Sequence, residues 1–193
     1  MRPGLERLAS GHDLALTALA LPSTDLAPYL FSLFIQSESE FYPASPEEYQ
    51  DMLGEEGMQA FMEKVQAAWD ALPPLQEKDW AVQSEYLHLL YPLKNAAVSR
   101  NDSEAVIALY AKIACDFGDF LKLSDLCLEH NMFDQALWWR KRAETAKNKP
   151  YSATAALENN QIALWLYRQD YAPVVELLWL RFTKWPSVEH YQE

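Results

Sequence analysis

Leu123-Ser124-Asp125-Leu126-Cys127-Leu128-Glu129, a short break at His130-Asn131-Met132, then Phe133-Asp134-Gln135-Ala136-Leu137 is the stretch from which the fold is read. Apolar residues recur at three- and four-residue spacings on both sides of the break, so it reads as helix, turn, helix. The pattern returns 38 residues later. Leu164-Trp165-Leu166 aligns with Leu126-Cys127-Leu128, Tyr171 with Phe133 and Val174 with Ala136. Upstream, Glu104-Ala105-Val106 echoes Gln135-Ala136-Leu137 at an offset of 31. One helix pair cannot bury its apolar face alone, so periods of this size imply pairs that stack on one another. The segment Ser152 to Gln169 fits that geometry. At about 100° per residue, Ala153, Ala156, Leu157, Leu164 and Tyr167 share one face, while Ile162 and Leu166 fall on another, as expected of a helix with neighbours on two sides.

The rest of the chain agrees on helix. Of its 193 residues half are hydrophobic and 13% aromatic, enough for a core without metal or disulfide. With five glycines and long runs of Ala, Leu, Glu, Gln, Lys and Met, the composition favours helix and argues against disorder. Helices are expected from Leu5 to Leu21 and from Leu26 to about Phe41. Another starts at the cap Ser45-Pro46-Glu47-Glu48, and Gly54 interrupts it. From about Glu55 to Leu72, Met58, Phe61, Met62, Val65, Ala68 and Trp69 make an amphipathic stripe that Pro73-Pro74 stops. A helix from near Lys78 should kink or end at Pro92. After Asn101-Asp102-Ser103, Val106, Tyr110, Ile113 and Phe117 form the next stripe. Further helices are expected over about 119–130, 133–147, 152–169 and 173–184. A last one begins at Pro186-Ser187-Val188-Glu189 and stops short of three turns, which raises the expectation of a piece of a longer protein.

The net charge is −12. That acidity disfavours nucleic acid and anionic membrane as partners. It is uneven: ten acidic residues and no Lys or Arg lie between Leu8 and Glu63, and the opposite island is Arg140-Lys141-Arg142 with Lys147 and Lys149. Two cysteines, Cys115 and Cys127, sit in apolar helical pattern and give no disulfide framework, which fits a cytoplasmic location. The apolar run Leu14 to Leu21 is short, and Glu6, His12 and Asp13 stand where a signal peptide needs positive charge. No stretch has the roughly 18 apolar residues of a membrane span.

On these residues a resemblance can be stated. Leu123 to Glu129 with Phe133 to Leu137, and its small residue after the turn, resembles a tetratricopeptide (TPR) unit. The run from Leu164 to Tyr191, ending in Trp185-Pro186-Ser187-Val188-Glu189-His190-Tyr191, resembles the helical tail of bacterial proteins that carry a SWIM-type zinc finger upstream. The resemblance covers about Gly118 to Glu193. This chain lacks the Cys and His cluster of such a finger, so no zinc function carries over; the resemblance implies a scaffold surface for partners. The expected fold class is therefore all-α, with antiparallel helix pairs stacked as a TPR-like α-solenoid. An acidic helical region, 1–76, precedes the repeats, 77–193, in what is expected to be one continuous domain.

Few residues carry chemistry. Glu85-Tyr86-Leu87-His88 has the spacing of half a di-iron site and Cys127-Leu128-Glu129-His130 that of half a zinc site, with no second half for either. Glu47, Glu48, Asp51 and Glu55 place carboxylates one turn apart, but without a calcium loop. No phosphate-binding glycine loop or nucleophile elbow is present. No cofactor is expected, and no enzymatic activity. The leading expectation is a non-catalytic module that binds a protein or peptide through Trp138, Arg140, Arg142 and Asn160. Asn160 falls in an apolar stripe, where its amide either fixes helix packing or faces a groove. Two alternatives stand beside it: an acidic regulator or immunity-like protein that masks a basic partner with Glu47, Glu48, Asp51 and Glu55, and a helical enzyme with an unrecognised site.

Overall fold

A computed structural model describes residues 23–36, 50–76 and 80–184. Among them there are eight α-helices and no strand: α1 (Ser23–Gln36), α2 (Gln50–Ala71), α3 (Trp80–Ser99), α4 (Ser103–Ile113), α5 (Phe117–Glu129), α6 (Phe133–Thr145), α7 (Ala153–Tyr167) and α8 (Tyr171–Lys184). The all-α class is thus observed. The helix expected over Leu5 to Leu21, the cap at Ser45-Pro46 and the segment from Pro186 lie outside the described residues. Contacts divide the described chain into two compact units between Ile113 and Ala114. The composition boundary at 76/77 falls inside the first unit, because α3 packs on both α1 and α2.

In the first unit the stripe on α2 is the organising element. Phe61, Val65 and Trp69 are buried, and Phe61 meets Phe31 and Phe34 of α1 edge-on at 6.0 and 5.7 Å. The end of α2 is held from two sides. Tyr86 Oη of α3 donates to the Pro73 carbonyl at 2.6 Å. Lys112 of α4 donates to the Trp69 carbonyl and lies 4.8 Å from the Trp69 ring centre, a cation where the helix dipole favours one.

Gly54 breaks α2 as expected, with φ 59° and ψ −172°. That region is essentially open to glycine alone. A Cβ there would meet nothing within 4 Å, so Gly54→Ala should cost about 1–3 kcal/mol through backbone strain alone. Urea unfolding measures it; an unchanged midpoint would refute the kink.

Pro92 neither ends α3 nor marks its boundary: the helix continues to Ser99 with Pro92 inside. Leu89, Leu90, Leu93 and Ala97, all buried, hold both sides of the proline in one packed face, and this packing offsets the missing backbone bond. The stripe expected to join Ile113 and Phe117 is split. Ile113 ends α4, and Asp116 caps α5 in extended geometry by accepting a bond from Asp119 N–H at 2.9 Å.

The second unit consists of two helical hairpins, α5–α6 and α7–α8. They close with the same turn. Asn131 N–H donates to Leu128 O and Met132 N–H to Cys127 O; 38 residues on, Gln169 N–H donates to Leu166 O and Asp170 N–H to Trp165 O. Asn131 and Gln169 both have positive φ, 61° and 58°. This is a Schellman ending, which supplies donors to the orphan carbonyls of a helix C-terminus. The α3–α4 junction uses it as well, with Asn101 at φ 54° and the matching bonds to Val98 O and Ala97 O. The upstream offset is therefore 30 rather than 31, and buried Val106, not Ala105, corresponds to Ala136.

Within the second unit α5 packs on α6 and α7, α6 on α7, and α7 on α8. The two turns lie side by side: Tyr167 Oη donates to Asn131 O at 3.3 Å, and the Tyr167 ring stacks on Phe133 at 5.4 Å.

Candidate functional site

α6 presents two different faces. Ala136, Trp139 and Ala143 are buried at three- and four-residue spacing against the rest of the unit. Trp138, one residue from Trp139, is turned about 100° away and is 52% exposed. The two adjacent tryptophans thus divide as their spacing requires, one in the core and one at the surface. Their rings meet edge-on at 4.5 Å, and Phe120 of α5 stacks on Trp139 at 5.9 Å.

Arg142 completes this cluster. Its guanidinium carbon lies 4.6 Å from the Phe120 ring centre, 5.0 Å from Trp138 and 5.2 Å from Trp139. A planar cation over aromatic faces is held by the ring quadrupole and by stacking. The N–H edge of the guanidinium is not used by that stacking. Among the described residues no hydrogen bond or ion pair occupies it.

The remaining basic residues have other tasks. Arg140 pairs with Glu144 one turn on. Lys149 donates to the Glu144 carbonyl, which suits the C-terminal end of α6. Lys141 and Lys147 are exposed. Trp138 and Arg142 are thus brought together, while Arg140 stands apart from them.

Asn160 is 4% exposed on α7. Its amide donates to Ser124 Oγ at 3.0 Å and to Asp125 Oδ1 at 2.7 Å, both on α5. Ser124 Oγ in turn donates to the Ala136 carbonyl of α6 at 2.9 Å. One buried amide and one buried hydroxyl thereby link three helices. Burial pushes the Asp125 carboxyl above its ordinary range, the bond from Asn160 pulls it part of the way back, and Glu129 adds to the rise. A raised carboxyl pKa gives stability that is full below the ordinary carboxylate range and is lost as pH rises through the folded value. Asp125→Asn removes that titration. Its stability relative to the parent should therefore rise between about pH 3 and pH 7, as read by urea unfolding at each pH; a pH-independent difference would contradict the assignment.

No protein-family model, curated protein or solved structure matches this chain. What the surfaces do must be argued from their own chemistry.

Of the four acidic residues, Asp51 and Glu55 are among the described ones. Glu47 and Glu48 lie outside the described residues. Asp51 and Glu55 are both exposed on α2, but the non-helical Gly54 falls between them, so they are not one helical turn apart as their spacing predicts. Burial raises the Cys127 thiol to about 11, which keeps it protonated at neutral pH and a poor nucleophile or metal ligand. His88 packs on Phe34 at 6.0 Å. Among the described residues no group of three His, Cys, Asp or Glu side chains is placed to hold a metal ion.

One feature escaped the sequence reading. In the first unit a groove of about 560 Å³ runs between α2, α3 and α4, with Trp69 and Asp70 on one wall and Leu93, Ala97 and Ala108 on the other. Alanines facing each other on α3 and α4 leave its space. The signal in sequence was their spacing, Ala96-Ala97 and Ala105-x-x-Ala108, which is also the ordinary composition of a good helix former.

Proposed function

We propose that this protein is a non-catalytic protein-interaction module built from TPR-like stacked helical hairpins. Its partner is an acidic, carboxylate-bearing segment that docks on the Trp138–Arg142 face of α6. One observation carries the reading: a solvent-facing tryptophan beside an arginine that is fixed over three rings, with no hydrogen bond or ion pair on the arginine's donor edge among the described residues. Tryptophan and arginine are the residues over-represented among interface hot spots. A guanidinium pre-ordered by stacking loses little freedom when it takes a carboxylate in bidentate fashion.

The repeated Schellman turn and the packing of α5 on both α6 and α7 support the stacked-hairpin part of the proposal. In such an array each hairpin is one unit and the next hairpin covers its side. Asn160 then has a positioning role. It holds α5, α6 and α7 in register and so fixes the angle at which α6 presents Trp138.

Affinity capture from an extract of the source cells tests the proposal. The protein should retain a partner that the Trp138→Ala/Arg142→Glu double variant loses by about tenfold or more. An Asp51→Asn/Glu55→Gln variant should retain it. Circular dichroism confirms that all three are equally folded. Equal retention by the double variant would overturn the assignment of the surface.

A further inference from the structure

The groove between α2, α3 and α4 is lined on its α2 side by a seven-residue repeat. Gln59, Met62 and Glu63 recur as Gln66, Trp69 and Asp70: an amide, a large apolar side chain and a carboxylate each time. Seven residues turn a helix through about 700°, within about 20° of two full turns, so each pair stands in a nearly straight row along α2. The core stripe of α2 is a different one, through Leu53, Phe61 and Val65, and Trp69 serves both. Gln59 Nε2 donates to Glu63 Oε1 at 3.0 Å and Gln66 Nε2 to Asp70 Oδ1 at 2.9 Å. These bonds orient the carboxylates and leave their charge. Among the described residues no Lys or Arg pairs with either. The facing walls are small, with Ala96 and Ala97 of α3 and Ala105 and Ala108 of α4. At one end α4 is tied to α2: Lys112 donates to the Trp69 carbonyl, and Leu75 N–H donates to the Lys112 carbonyl at 2.8 Å.

We propose that the groove takes one amphipathic helix of a partner protein, with Lys or Arg side chains one heptad apart facing Glu63 and Asp70. Three observations favour this occupant. First, the walls are helices, whose backbone groups bond internally, so an extended segment finds no strand edge to pair with. Second, straight rows seven residues apart form the kind of seam along which two helices lie side by side. The alanines on the facing walls let an incoming helix approach closely, since the side chains at a contact set the distance between helix axes. Third, the charge is complementary. Glu63 and Asp70 are both exposed and stand about 10 Å apart along the axis, the separation of two residues one heptad apart on any helix. Opposite charges flanking an apolar seam set the choice of partner. Arg100, just past the end of α3, is the cation of the lining, so the carboxylates outnumber it. The net charge of −12 adds a long-range attraction for a basic partner.

This inference concerns the first unit and does not depend on the partner proposed for α6. Two labelled helical peptides, each about three heptads long, test it against the full chain by fluorescence anisotropy. Both carry Leu on one face, with Ala and Gln elsewhere. In the first, Lys flanks the apolar face once per heptad; in the second, Glu takes those places. The Lys peptide should bind with a dissociation constant below about 1 mM, and the Glu peptide at least about tenfold more weakly. Glu63→Lys/Asp70→Lys should reverse that preference. Asp51→Lys/Glu55→Lys makes the same change in net charge outside the groove and should keep it. Ala108→Trp fills the groove from an exposed position on α4 and should weaken the Lys peptide by about tenfold or more. Circular dichroism checks that every variant keeps its helix content. No binding of the Lys peptide, equal effects of the two charge-reversed pairs, or binding indifferent to Ala108→Trp would each overturn the proposal.

Discussion

Phe61→Ala is expected to destabilise the protein by about 3–5 kcal/mol. Phe61 is 1% exposed on α2. Its ring takes the edge-on contacts of both Phe31 and Phe34, so the substitution removes the transfer energy of one ring and two aromatic contacts of about 0.5–1.5 kcal/mol each. Both neighbouring rings stand on α1, so they fill the space only if that helix shifts as a whole. A domain with a total stability of about 5–15 kcal/mol loses a large part of it. Urea unfolding gives the value. Phe61→Leu, which keeps more of the volume, should cost well under half as much. A loss below about 1 kcal/mol for the alanine variant would mean that α1 does not pack on α2 through this ring.

Asn160→Ala is expected to cost about 2–3 kcal/mol. The amide is the junction of α5 and α7, and through Ser124 it reaches the Ala136 carbonyl on α6. Its removal leaves a small cavity, an acceptor site on Ser124 Oγ without a donor, and the Asp125 carboxylate without the bond that offsets its burial. A double-mutant cycle with Ser124→Ala isolates the shared term. Coupling of about 1–2 kcal/mol is expected, because the two side chains act as one network. Strict additivity would show that Asn160 and Ser124 contribute separately.

Much of the fold was legible because it rests on local rules. The stripe on α2 has the period of a helix, and Pro73-Pro74 ends it by chemistry that does not depend on neighbours. Gly54 was readable for the same reason. Of the kink or end expected at Pro92, the end does not occur, because whether a proline ends a helix depends on how well its two sides are packed, and Leu89, Leu90, Leu93 and Ala97 decide that here. The split between Ile113 and Phe117 was missed because the apolar period runs straight across Asp116. The turn is visible only once the Asp116 side chain is seen to bond the Asp119 N–H. The hairpin turns use Asn101, Asn131 and Gln169 rather than glycine, so the usual marker of a helix end was absent and the upstream register was read one residue off.

The candidate site was legible in its residue types more than in its arrangement. The pair Trp138-Trp139 announced one buried and one exposed ring, since adjacent helical residues point in different directions. The basic run announced a charged surface. Its division into Arg142 over the rings, Arg140 against Glu144 and Lys149 at the helix end depends on which side chains α5 and the following loop bring within reach.

By itself the sequence determined that this chain is helical, where most of its helices begin and end, and that its last helices repeat in pairs. Those properties follow from side-chain period and backbone chemistry within a few residues. Only the tertiary structure decided which arginine meets the aromatic cluster and that Asn160 ties three helices together. These are contacts between residues as many as 36 positions apart. No local rule reaches that far; the packing of one helix on another sets them.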